Sequence, residues 1–231
     1  MKINWEYNMN SIYKTLFLSA TLAFLACDDS SSASGEDESC TDAAAVACPA
    51  TLEPNTICDA RDGKVYKVVT VGTQTWMAEN LNYYSCKIKN GSWCYDGKES
   101  NCDTYGRLYT WTAMMNVEDS YQKSYANLPG AQRGNCPEGF HVPGDEEWKT
   151  LFETGALENE ELGFGVLYAG RYYFNSFREM GEKAYFWTSL EDKSEYGGPR
   201  NAEIWSVSEM FGVGGGSVFK DDGLSVRCVK D

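Results

Sequence analysis

The chain has one histidine, His141, among 231 residues. A lone imidazole cannot build a His-rich metal site, and no GxSxG or HExxH pattern occurs to mark a hydrolase. Bases are scarce beside acids, 20 Lys and Arg against 34 Asp and Glu, for a net charge of −14. A surface this negative repels phosphates and no basic stripe offsets it, which disfavours nucleic acid and anionic lipid headgroups as partners. Cysteine is not scarce, yet none of its spacings forms a CxxC or Cys/His knuckle, so structural zinc is excluded. The chain shows no internal repeat and no heptad.

What is present begins with "IYKTLFLSATLAFLAC", residues 12–27: Lys14, a short apolar run, then Ala26 and Cys27. The run is too short for a stable membrane span and reads as the h-region of a secretory signal. A cysteine directly after "FLA" resembles the bacterial lipobox, in which the sulfur is diacylated. Residues 1–27 are thus expected to be a lipoprotein signal with Cys27 as the anchor. Glu6 and Trp5 fit poorly in an n-region, which makes Met9 an alternative start.

Residues 28–62 hold nine acids and one base, whereas 63–231 hold 24 acids and 17 bases. The first stretch, opening "DDSSSASGEDES", reads as a flexible acidic tether and the second as one globular domain. Beyond Cys27 the cysteines number eight, at 40, 48, 58, 86, 94, 102, 136 and 228. An even count in an exported chain reads as disulfides, but spacing does not select the pairs.

Within 63–231, β-branched density at Val65–Val71, a turn at "VGTQT" and "TWMAEN" predict a hairpin. "SWCYDGKESNC", 92–102, reads as a loop, and a helix is expected to start near Trp111. In "DEEWKTLFETG" the spacing of Trp148, Leu151 and Phe152 predicts a helix with one apolar face, with three acids in its first turn and Gly155 as its stop. Short strands follow, in "FGVLYAGRYYF", "AYFWTSL", "AEIWSVSE", "GSVFK" and "LSVRCVK". The expected class is α+β: a small twisted antiparallel sheet, two helices and long disulfide-stapled loops.

Five motifs in order, "VTVGTQTWMAENLNY", "YGRLYTW", "CPEGFHVPGDEEWKTL", "AYFWTSLED" and "LSVRCVKD", resemble the Fibrobacter succinogenes major paralogous domain. The likeness spans about Gly63 to Asp231. It implies a secreted or lipid-anchored protein with a C-type-lectin-like scaffold and variable loops, and leaves the biochemical role open. The resemblance also implies Cys94–Cys102 and Cys136–Cys228. Cys58–Cys86 and Cys40–Cys48 are the expectation for the remaining four. Phe140, Val142 and Gly144 depart from the family's usual residues around the histidine; Gly is an acceptable N-cap.

Candidate sites follow from residue chemistry. His141 sits between Phe140 and Val142, ahead of Pro143, with packing neighbours, and is read as a hydrogen-bonded scaffold histidine. The reactive cysteine pair of formylglycine-generating enzymes, which would share the fold, has no counterpart, because the C-terminal half of the 63–231 domain holds only Cys228. Glu53–Pro54–Asn55 matches the EPN of calcium-dependent lectins but lies in the tether, and no WND follows. Glu191–Asp192 and Asp221–Asp222 are the oxygen-rich pairs that a Ca2+ ion would use, and they read first as solvated turns. Trp93, Tyr95, Tyr172, Tyr173, Tyr196 and Trp205 are the aromatics available for stacking on sugars, Trp93 and Tyr95 being pre-organised by their disulfide loop. Trp76, Trp111, Trp148 and Trp187 are assigned to the core.

The expected function is a non-catalytic, lipid-anchored cell-envelope module, at the outer membrane or cell surface. It would bind polysaccharide or a surface protein, with no cofactor other than Ca2+ considered. A structural coat component, or an enzyme of another kind, is the alternative.

Overall fold

A computed structural model describes residues 45–231; Cys27, Cys40 and the proposed signal lie outside them. The described residues form a mixed helix-and-sheet domain built on antiparallel ladders. In chain order the elements are β1 (Thr56–Cys58), β2 (Val65–Val71), β3 (Gln74–Met77), β4 (Ser92–Trp93), α1 (Glu99–Tyr105), β5 (Leu108–Tyr109), α2 (Trp111–Met115), β6 (Phe140–His141), α3 (Asp145–Glu153), β7 (Arg171–Tyr173), β8 (Ser176–Arg178), β9 (Lys183–Glu191), β10 (Asn201–Ser208), β11 (Gly212–Phe219) and β12 (Val229–Lys230). One sheet runs β1-β2-β3-β12-β6 and a second β11-β10-β9, with two-stranded ribbons β4-β5 and β7-β8.

The predicted hairpin is β2–β3, turning at Gly72, whose φ of 60° suits a residue without Cβ. The predicted helix is α3. Trp148 and Leu151 are buried on its core face, while Phe152 stays partly exposed and leans on Trp205, ring centroids 5.7 Å apart. Glu147 reaches back to accept from the amide of Gly144 at 2.8 Å, so the glycine N-cap is completed by its third neighbour. Three α-helices are present among the described residues, one more than expected, because the cysteine loop at 92–102 runs into α1.

Two expectations are corrected. The tether does not run to residue 62, since Thr56–Cys58 pair with β2 and the sheet starts there. Glu53–Asn55 forms the turn into β1, with Asn55 at φ 57° and the Glu53 carbonyl accepting from Thr56 Oγ1. The second correction concerns Cys58, which bonds to Cys48 instead of Cys86, so the Cys40–Cys48 pairing fails as well. That turn folds residues 48–58 back on themselves and brings the two Cα atoms to 5.9 Å, within disulfide reach. Cys86 is itself disulfide-bonded. Cys94–Cys102 and Cys136–Cys228 are present as the resemblance implied.

The expected last strand forms a ladder only at β12; upstream, residues 223–228 run extended between the sheets. Ser225 accepts from Trp187 and donates to Tyr185 on β9, while Val226 accepts from Leu81 and Cys228 from Met77. Its apolar residues enter both cores. Leu224, Val226 and Cys228 join Trp111, Trp187 and Met77, and Val229 joins Trp76, Trp148 and Phe164. All four assigned core tryptophans are fully buried.

Arg227 lies on this segment and is fully buried too. Its guanidinium donates to Asn80 Oδ1 at 2.6 Å and to the carbonyls of Met77, Phe164 and Gly165, and lies 4.6 Å from the Phe164 ring centroid. No carboxylate pairs with it among the described residues. Burial therefore pulls its pKa down to about 9.

Candidate functional site

The disulfide loop positions the first candidate aromatics. Trp93 is held in the β4–β5 ladder, and Tyr95 follows Cys94 into a turn where Asp96 and Gly97 take φ of 54° and 66°. Trp93 stacks on Tyr172 with centroids 4.4 Å apart, Tyr95 meets Phe177 at 5.0 Å, and Phe177 meets Tyr172 at 5.0 Å. All four rings are half-buried. Trp93 and Tyr95 thus support the β7–β8 hairpin from below. The hairpin is also fixed by two hydrogen bonds of 2.8 Å between Tyr172 and Gly223. Gly223 is needed for this contact, because a Cβ there would come within 2.9 Å of Tyr172 and 3.0 Å of the Trp93 ring.

The opposite face of the hairpin looks outward. Register pairs Arg171 with Arg178 and Tyr173 with Ser176, leaving a two-residue turn at Phe174 and Asn175. Both turn residues have positive φ, 45° and 55°, the pattern of a type I′ turn that usually takes Asn and Gly. Phe174 is a bulky aromatic in a conformation that disfavours it, and it is 70% exposed. Its ring meets Tyr173 edge-on at 4.4 Å.

From Tyr173 a line of contacts crosses to the tip of the β10–β11 hairpin. Arg171 lies over Tyr173 at 4.5 Å and over Tyr185 at 4.8 Å. Glu179 gathers Arg171 Nε at 2.7 Å, the Tyr185 hydroxyl at 3.0 Å and Lys183 Nζ at 3.3 Å. Burial alone would raise the Glu179 pKa, but these donors outweigh it and hold the carboxyl below its usual value. Lys183 in turn lies 4.9 Å over the ring of Phe211, which is 74% exposed beside Met210. Between Tyr185 and Phe211 is a groove of about 200 Å³ whose floor includes Ser206 and Gly214.

The other predicted positions are not part of this surface. Trp205 is 6% exposed and belongs to the core, its Nε1 donating to Asp145 Oδ1 at 2.9 Å. It lies outside the five family-like motifs, whose tryptophans were the ones assigned to the core. Tyr196 is 91% exposed, but on the β9–β10 loop at the far end of those strands from Phe211. Tyr173 lies on the surface, and Phe174 and Phe211 are the residues that sequence reading missed.

His141 has both ring nitrogens engaged, Nδ1 with Asp231 Oδ1 and Nε2 with Glu147 Oε1, each at 2.8 Å. The hydrogen bond to the Glu147 carboxylate, aided by that to Asp231, raises its pKa. It therefore ties β6 to the start of α3 and to the residue after β12. Of the acidic pairs only Asp221 lies in a solvated turn, Glu191, Asp192 and Asp222 being buried. Glu191 is bound to Lys220 and to the amides of Ala126 and Asn127, and Asp192 accepts from Ser194. Asp222 is buried with Oδ2 unpartnered, whereas Asp221 is exposed beside Arg200. Cys94, Glu99 and Cys102 cluster, but the sulfurs are bonded to each other and offer no thiolate. No helix among the described residues is long and apolar enough to cross a membrane.

These features define a disulfide-stapled α+β domain that holds aromatic hairpin tips out to solvent. Residues 69–161 match the family model of the Fibrobacter succinogenes major domain, which supports that family for this span. No curated protein and no solved structure matches the chain. The outward surface, residues 171–214, lies beyond the matched span.

Proposed function

We propose that this chain is a non-catalytic binding module with a C-type-lectin-like scaffold, carried at the cell envelope by a lipid on Cys27. Its contact surface is the pair of hairpin tips bearing Tyr173, Phe174 and Phe211, and its ligand is an extracellular polysaccharide. The pairing of β12 with the N-terminal hairpin strand β3 supports the scaffold assignment. The observation carrying the function is Phe174. An exposed phenylalanine at φ 45° costs stability and packs little in return, which fits a residue retained for contact with a ligand.

The test is a pull-down of the oxidised full chain on insoluble cellulose, xylan and pectin, with calcium and with a chelator. Phe174→Gly relieves the backbone strain, so this variant should melt at a higher temperature while losing binding. Binding that survives Phe174→Gly would dismiss the hairpin tip as the contact, and chelator-sensitive binding would bring Ca2+ into the site.

A coat or assembly role is the second reading. In its favour is β11, which is uncharged along residues 212–219 and pairs only with β10 among the described residues. An open edge of this kind is a template for another strand.

A further inference from the structure

We infer that the polysaccharide taken by this surface is an acidic one, carrying an isolated carboxylate on a sugar ring, with Arg178 as its reader. The inference rests on the binding role proposed above and adds the class of sugar. Arg178 is exposed and has no ion pair among the described residues, although the chain carries far more acids than bases. Only its Nε is engaged, donating to Ser176 Oγ at 3.1 Å, while the guanidinium lies 5.7 Å from the Tyr173 ring centroid. A guanidinium oriented by a neighbour, with its outer fork unbonded, fits a carboxylate in bidentate fashion. The adjoining rings of Tyr173 and Phe174 supply apolar faces against which a sugar ring stacks.

The remaining charges favour widely spaced anions. Arg171 and Lys183 continue the line of cations, but both are shared with Glu179, and exposed Glu182 and Glu209 flank the surface. A densely charged polyphosphate would meet these acids, whereas a chain with one carboxylate per ring can place it at Arg178 and keep neutral hydroxyls elsewhere. The groove beside Phe211 has the hydroxyl of Ser206 on its floor, and its size suits one ring and not a drug-sized ligand. Gly214 also lines this groove, and a Cβ there would meet nothing within 4 Å, so a side chain can be added without a clash.

The test compares polygalacturonate with its fully methyl-esterified form by affinity electrophoresis of the oxidised full chain, adding xylan and duplex DNA. The wild type should bind the carboxylated chain about tenfold more tightly than the ester, as a charge-assisted bidentate contact implies. Arg178→Gln should abolish that difference and leave ester binding unchanged. Gly214→Leu should fill the groove and weaken both. An unchanged melting temperature for Arg178→Gln separates lost recognition from lost fold. Equal binding of the two galacturonans, or an unaffected Arg178→Gln, overturns the acidic-sugar assignment while leaving the binding role intact. DNA bound as tightly as polygalacturonate overturns it in favour of plain polyanion attraction. No binding to any saccharide removes both proposals.

Discussion

Lys220 and Glu191 meet at 2.6 Å with both side chains shut off from water. Lys220 also donates to the carbonyls of Tyr121 and Ser124 and lies 4.8 Å over the ring of Trp111. Glu191 accepts from the amides of Ala126 and Asn127 at 2.8 Å each. The pair thus pins the irregular segment after α2 to the second sheet. Burial would raise the Glu191 pKa, but Lys220 and the two amides hold it below the usual range.

Replacing Lys220 with Met should therefore cost roughly 3–5 kcal/mol, the penalty of leaving a buried charge without its partner. The double variant Lys220→Met with Glu191→Gln should cost less, because the second change removes that charge. Urea unfolding of the two proteins checks this. A double variant as unstable as the single one would assign the loss to packing.

Stability should also fall as pH rises through the titration of His141. Its pKa is raised in the folded state, by Glu147 first and then Asp231. The stabilisation is complete below the unfolded value near 6.5 and is lost as pH climbs through the folded value. His141→Gln should flatten the profile in that window. NMR titration of this sole imidazole gives the folded pKa directly, and a value at or below 6.5 would contradict the geometry.

Asp222 should act at lower pH. Burial pushes its carboxyl up to about 7. The unfolded group ionises near 3.9, so the native state binds more protons between about pH 4 and 7 and loses stability across that window. Asp222→Asn should gain roughly 1–3 kcal/mol at pH 8 and little at pH 4. Denaturation at the two pH values decides it; an equal effect at both would remove titration as the cause.

Removing the Cys136–Cys228 bridge by a double serine substitution should cost about 4–5 kcal/mol on chain-entropy arithmetic, given its 92-residue separation. Cys94–Cys102, with a separation of 8, should cost less. Melting of the two variants under oxidising conditions gives the order.

Gly223→Ala offers a local test of the hairpin's seat. A methyl group here collides with both Tyr172 and the Trp93 ring. The Trp93 fluorescence environment should change and polysaccharide binding should weaken. The core ladders should keep their far-UV circular dichroism.

Elements whose periodicity answers to a single environment were legible. The β2–β3 hairpin and α3 each show one apolar face and a turn or cap signal, and both formed where their residues indicated. Trp205 was misread because it lies outside the family-like motifs that marked the other tryptophans as core, although its strand β10 sends residues into both cores. Lys220 and Arg227 were invisible as core residues, since a cation reads as surface until its partners are known. Those partners are distant: Glu191 lies 29 residues from Lys220, and Asn80 lies 147 from Arg227. Phe174 escaped for another reason, because a positive φ at a phenylalanine contradicts its own propensity.

The extended run from Gly223 to Val229 is the seam that closes both cores. Without it, Trp187 has no backbone partner at Ser225, Met77 none at Cys228, and the buried acceptors at Phe164 and Gly165 lack their arginine. A chain lacking residues 223–229 would keep its early hairpin yet miss the strip that joins one half to the other. Both cores therefore share one strip of backbone, and neither closes without it.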